Sequence, residues 1–165
     1  VTNNYLATYL SDHSAGSVAA LELLEDLETT YAGTALRDFF VELQTDIEAD
    51  RKELQTLMDR LQIVESRPRK FAAWLAERSI ALKVRLDDKA NGPLRLIESL
   101  EAVGLGIHGK LALWEALRAA AEELPPLRGV VDYERLARRA EEQRRRIEIV
   151  RLEAAKAAFA QTSIT

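Results

Sequence analysis

A chain of 165 residues with a formal net charge of −4 is the size of one ordinary domain, and its mildly acidic balance leaves no global footprint for nucleic acid. The absence of cysteine removes disulfides, thiolate metal sites and thiol nucleophiles together, which makes the reducing cytoplasm the expected location. No apolar stretch approaches the roughly 20 residues that a membrane-spanning helix requires, so no membrane partner is expected.

Apolar residues recur at spacings of three and four along almost the whole chain, and no run alternates with period two, so the expected fold class is all-α. A first long helix is expected over about residues 4–31. Leu6, Leu10, His13, Ser17, Ala20, Leu24, Leu27 and Tyr31 form its stripe, which ends before Gly33, a residue suited to the left-handed position after a helix. With Thr34 as its N-cap, a second helix is expected over about 34–65, carrying Leu36, Phe40, Leu43, Ile47, Asp50, Leu54, Leu57, Leu61 and Val64.

Pro68 opens a shorter amphipathic piece over about 68–87, with Phe71, Trp74, Leu75, Leu82 and Leu86, before Gly92 and Pro93 punctuate the chain. A third long helix over about 93–123 aligns Leu96, Leu100, Val103, Ile107, Trp114, Leu117 and Ala121. Asp132 caps a fourth over about 132–160, whose core face reads Tyr133, Leu136, Ala140, Gln143, Ile147, Val150 and Ala154. Short turns make two antiparallel hairpins. The middle piece, about 27 Å long at 1.5 Å per residue, is long enough to run back along a bundle, so one domain, a four-helix bundle with a crossover helix, is expected over residues 1–165.

Charge is unevenly spread. Residues 22–59 hold eleven acids and three bases, residues 67–89 seven bases and three acids, and the two regions are expected to face each other. Glu77, Asp87 and Asp88 dilute the basic region, and it lacks an aromatic stacking platform, which argues against a phosphate patch. The arginines in "RRAEEQRRR" are offset by neighbouring acids and read as a solvated face with i, i+4 pairing.

Taken together, "YLSDHSAGSVAALELL", "FVELQTDIEADRKEL", "LEAVGLGIHGKLALWEAL" and "LARRAEEQRRRIE" resemble the four bundle helices of the ferritin-like superfamily. "GKLALWEAL" is similar in flavour to a bacterial branch of it that lacks the di-metal ligands. Di-metal members use a Glu from each of two helices and a Glu-x-x-His from each of the other two. Carried onto this chain, the resemblance puts Ser17 at the first Glu, Ile47 and Asp50 at the second helix's Glu-x-x-His, and Ile107 at the lone Glu of the third. Ala140 and Gln143 take the motif of the fourth helix, with Glu141 and Arg144 as the alternative register. His13 and His108 follow Leu10 and Leu105 by three residues, so no Glu-x-x-His exists. The resemblance therefore implies the fold without a metal centre or cofactor and brings no activity with it; a helical bundle with glycine-notched faces is read as a non-catalytic binding or scaffold protein.

His13, Ser17, Asp50 and Gln143 interrupt the apolar stripes. If the first hairpin turns at Ala32 and Gly33, Asp50 falls level with Ala15, close to His13 and Ser17. The expectation is a buried polar layer that fixes register. The alternatives are a small-ligand or acid–base site in the same layer, and a degenerate metal site around His13 and Asp50, which would make the protein a metal-dependent enzyme or a metal-binding protein. If Asp50 is only structural, Asp50→Leu is expected to be neutral or stabilising.

Within "GLGIHG", Gly104, Gly106 and Gly109 match a nucleotide fingerprint, but no strand precedes them. Glycine in a helix costs about 1 kcal/mol relative to alanine, so a close approach is expected there, by Trp74, by another residue of the middle piece or by a second subunit. His108 is placed at that surface. The expected partner is a second copy of the chain, with a dimer favoured.

Overall fold

The computed structural model of the chain describes residues 5–64, 77 and 92–160. Every regular element among them is helical: α1 (Tyr5–Thr30), α2 (Ala35–Arg60), α3 (Gly92–Glu123) and α4 (Tyr133–Phe159), with one 3₁₀ turn at Pro125–Leu127. Apart from Glu77, the crossover helix expected over about 68–87, with Trp74, lies outside the described residues, as does the basic stretch expected to face the acids of 22–59.

Local chemistry explains the turns. Gly33 takes φ 79°, a left-handed conformation that glycine reaches without steric cost, and the chain reverses there into α2. Thr34 stands at the N-cap, but its hydroxyl donates back to the Tyr31 carbonyl at 2.8 Å instead of capping α2. Asp132 does cap α4, its carboxylate accepting the Arg135 backbone N–H at 2.9 Å.

The second helix stops at Arg60, short of the expected boundary near residue 65. Gln62 swings to φ 56°, and the Ile63 N–H closes back onto the Met58 carbonyl at 2.9 Å. This is the six-to-one bond of a Schellman ending. It turns Val64 out of the stripe to 86% exposure.

Packing defines the topology. The main helix contacts join α3 to α4, α1 to α2, and α1 to α3. Side-chain pairs link α2 to α4: Asp46 with Arg146, Asp50 with Arg139 and Glu53 with Arg135. Partner numbers on α4 fall as those on α2 rise, so these helices are antiparallel. Around the bundle the order is α1, α2, α4, α3, which leaves α2 and α3 parallel at opposite corners. Parallel helices need a long connection, the ferritin-like arrangement with one crossover.

The core holds Leu10, Leu24, Phe40, Leu57, Leu113 and Trp114, all at 1% exposure or less. Each such side chain contributes roughly 1.5–3 kcal/mol through burial. On α1 the buried face is wider than the single stripe, because this helix packs against both α2 and α3; Ser11, Ser14, Ala19 and Leu23 are buried as well. No helix among the described residues is long and apolar enough to cross a membrane.

Candidate functional site

Where α1, α2 and α3 meet near mid-bundle, small side chains face one another. Gly16, Ser17 and Ala20 of α1 look toward Gly106 and Gly109 of α3, and the space a larger residue would fill remains as a cleft. It offers about 50 Å³ to the centre of a water-sized sphere. A buried water needs on the order of 10–15 Å³ by that measure, so the cleft has room for a few waters or a small molecule. Ile47 and Leu54 of α2 and Ile107 and Leu113 of α3 make most of its wall apolar.

Polar groups enter at defined points. Asp50 is 2% exposed, and its carboxylate is held from two helices. Gln143 Nε2 donates to Oδ2 at 2.9 Å, and Arg139 Nε donates to Oδ1 at 2.6 Å with Nη2 on the same oxygen. The Lys110 ammonium donates both to Asp50 Oδ2 and to Gln143 Oε1. Burial pushes the Lys110 pKa below the ordinary lysine range, and the Asp50 carboxylate opposes that shift. Charge-assisted bonds of this kind are what a buried carboxylate needs to offset its desolvation.

His13 and Ser17 line the α1 wall of the cleft. The Ser17 hydroxyl donates within its own helix, to the Ser14 carbonyl at 2.6 Å. The His13 ring stands edge-on to Tyr9, with centroids 4.6 Å apart. Burial lowers the His13 pKa to about 4, against a weaker upward pull from Asp12. The imidazole is thus neutral at pH 7. The bonds that hold Asp50 come from α3 and α4, and α1 contributes wall.

Two further cleft residues carry unpaired donors. Trp114 is 1% exposed and its Nε1–H has no partner among the described residues, and the buried Nε of Arg51 has none there either. Lys110, Arg139, Arg51 and Trp114 were not singled out from the sequence as site residues. Lys110 was nonetheless visible as a gap: Val103, Ile107, position 110 and Trp114 are one continuous stripe at spacings of four, three and four.

The four residues expected to form one interface fall in two places, Gly104 and His108 along a groove beside α4 and Gly106 and Gly109 in the cleft. A Cβ at Gly104 would meet Ile147 of α4 at 3.6 Å, ordinary contact, while Gly106 and Gly109 line the cleft. His108 is exposed on the outer face. Among the described residues no backbone approaches Gly104 or Gly106 closely enough to exclude a methyl group. In α4 the inward pair is Ala140 and Gln143, at 0% and 1% exposure, whereas Glu141 points outward and pairs with Arg144 at 2.7 Å. Among the described residues no three His, Cys, Asp or Glu side chains gather where one ion could join them.

No protein-family model matches the chain, and comparison with curated proteins gives no significant match. The structure is similar to the crystal structure of the E. coli stress protein YciF, with a TM-score of 0.61 and 14% identity over 96% of this chain and 95% of that one. At that identity the likeness speaks for the fold alone, and with the helix order above it makes the chain an all-α four-helix bundle of the ferritin-like type.

Proposed function

We propose that the protein is a non-catalytic ferritin-like binding module whose bundle centre is held by its own charged side chains in place of metal ions. The observation that carries this reading is the Lys110 ammonium lying between Asp50 Oδ2 and Gln143 Oε1. Asp50 and Gln143 stand where the ferritin-like resemblance puts the histidines of the two Glu-x-x-His pairs. A protein-borne cation therefore occupies the space between two inward ligand positions, and Arg139 adds a second positive charge to the same carboxylate.

The residues present do not fit the metal pair of that superfamily. Metal sites of this kind usually take three or more protein ligands, and among the described residues that line the cleft only His13 and Asp50 have the right chemistry. Asp50 is engaged on both oxygens, and a divalent ion beside it would meet the repulsion of Lys110 and Arg139. What remains is a small, largely apolar cleft with a few directed donors, the usual make-up of a small-ligand pocket. No nucleophile with an adjacent base and oxyanion donors accompanies it among the described residues.

Elemental analysis tests this. Protein purified without chelator from cells supplied with iron, manganese and zinc is expected to carry well under one metal ion per chain, with His13→Ala identical to wild type. Near-stoichiometric metal that disappears in His13→Ala would overturn the proposal in favour of a metal-dependent enzyme built on His13 and Asp50.

A further inference from the structure

The cleft wall is rich in donors and poor in free acceptors. Both oxygens of Asp50 are engaged, Oδ1 by Arg139 and Oδ2 by Lys110 and Gln143. The proton of Ser17 is used on Ser14. Left over are the indole N–H of Trp114 and the buried Nε–H of Arg51, which have no partner among the described residues. A buried donor without a partner is costly, and a ligand that supplies an acceptor there gains what the pocket otherwise lacks. Charge points the same way. Lys110 and Arg139 both pair with the Asp50 carboxylate, Arg51 lines the same cleft, and burial keeps His13 neutral.

These features select a ligand class. Its polar end must consist of acceptors and carry negative charge. The rest must be apolar, because Ile47, Leu54, Ile107 and Leu113 form the remaining wall, and the available space limits it to a few heavy atoms. A small inorganic oxyanion satisfies the donors but leaves the apolar wall unused, and an aliphatic alcohol does the reverse. We propose that the cleft binds a short aliphatic carboxylate, its oxygens toward the Arg51 guanidinium and the Trp114 indole N–H and its tail between Leu54 and Leu113. This deepens the binding reading given above and rests on it.

Butyrate is the probe, followed through the ¹⁵N-labelled indole signal of Trp114, which Trp74→Phe separates from the other tryptophan. The titration is run at constant ionic strength on protein whose metal content has been measured first. Butyrate is expected to shift the Trp114 indole signal saturably, with half-saturation in the millimolar range or below. 1-Butanol and inorganic phosphate are expected to leave it in place.

Arg51→Gln removes a charged donor and is expected to weaken butyrate binding at least about tenfold. Gly106→Leu fills the space and is expected to abolish the response, whereas Gly106→Ala, whose methyl meets nothing within 4 Å, shows that substitution there is compatible with folding. Metal-free protein that gives no saturable shift with butyrate, the same shift with butanol or phosphate, or undiminished binding in Arg51→Gln overturns the inference while leaving the metal-free binding module standing. Stoichiometric metal in the starting sample overturns that underlying reading instead.

Discussion

Burial keeps His13 neutral, and this ties stability to pH in a defined direction. Its pKa is about 4 in the folded protein against 6.5 for a free imidazole. Between those values the unfolded chain binds more protons, so stability is full above pH 6.5 and falls as the pH drops toward 4. The full shift is worth up to about 3 kcal/mol. His13→Gln cannot titrate, so the difference between its urea stability at about pH 7 and about pH 4.5 is expected to be smaller than that of wild type. Equal pH dependence in the two proteins would mean that His13 protonates freely in the fold. Gln62 gives a second test at this scale. A side chain in the left-handed region costs roughly 1 kcal/mol that glycine avoids. Gln62→Gly is therefore expected to raise the unfolding free energy by about that amount, and Gln62→Ala to leave it near wild type. The left-handed turn itself was hidden in the sequence, because "RLQIVES" contains no glycine or proline to mark the stop.

At the scale of the helix, the arginines of α4 divide into two sorts. Arg144 folds back on Glu141 three residues earlier, local pairing of the kind that the composition suggested, and Arg151 pairs likewise with Glu148 while its guanidinium also lies 3.5 Å from Glu101 of α3. Arg135, Arg139 and Arg146 instead reach across to Glu53, Asp50 and Asp46 of α2. The expectation of a wholly solvated face holds for Arg144 and fails for the arginines that reach another helix. Both stripes were legible, since Asp46, Asp50 and Glu53 follow helical spacing on one element and Arg135, Arg139 and Arg146 on the other. Their mutual facing was not, because it depends on which helices become neighbours. The two sorts differ in consequence. The Arg146 to Asp46 pair is about one-third exposed on each side at 2.9 Å. Arg146→Ala is expected to cost about 1 kcal/mol, with about half that coupling returned in a double-mutant cycle with Asp46→Ala. Arg144→Ala, which breaks only a solvated in-helix pair, is expected to leave the denaturant midpoint unchanged. A larger loss at Arg144 than at Arg146 would contradict the packing of α2 against α4.

For the molecule as a whole, the four long helices and their pairing into hairpins followed from periodicity and short turns, which act through local chemistry. The position of Asp50 was readable for the same reason. Its surroundings were not, because Lys110 and Arg139 arrive from the other hairpin, and long side chains reach a buried partner from positions that a stripe of apolar residues passes over. That difference alters the energetics. With Lys110 at 14% and Arg139 at 29% side-chain exposure on its two oxygens, Asp50 is the anion of a charged knot joining α2 to α3 and α4. Asp50→Leu alone, neutral or stabilising for an isolated structural carboxylate, leaves the Lys110 ammonium buried without its counter-charge and is expected to cost about 3–5 kcal/mol. The triple variant Asp50→Leu, Lys110→Met, Gln143→Leu removes the buried members together, while Arg139 is exposed enough to turn to solvent. It is expected to return to within about 1–2 kcal/mol of wild type or to exceed it. Equilibrium denaturation of wild type, single and triple variants measures both steps. A single variant as stable as wild type would show that the knot does not join the hairpins; a triple variant no better than the single would show that volume, and not charge, is what Asp50 contributes to the bundle centre.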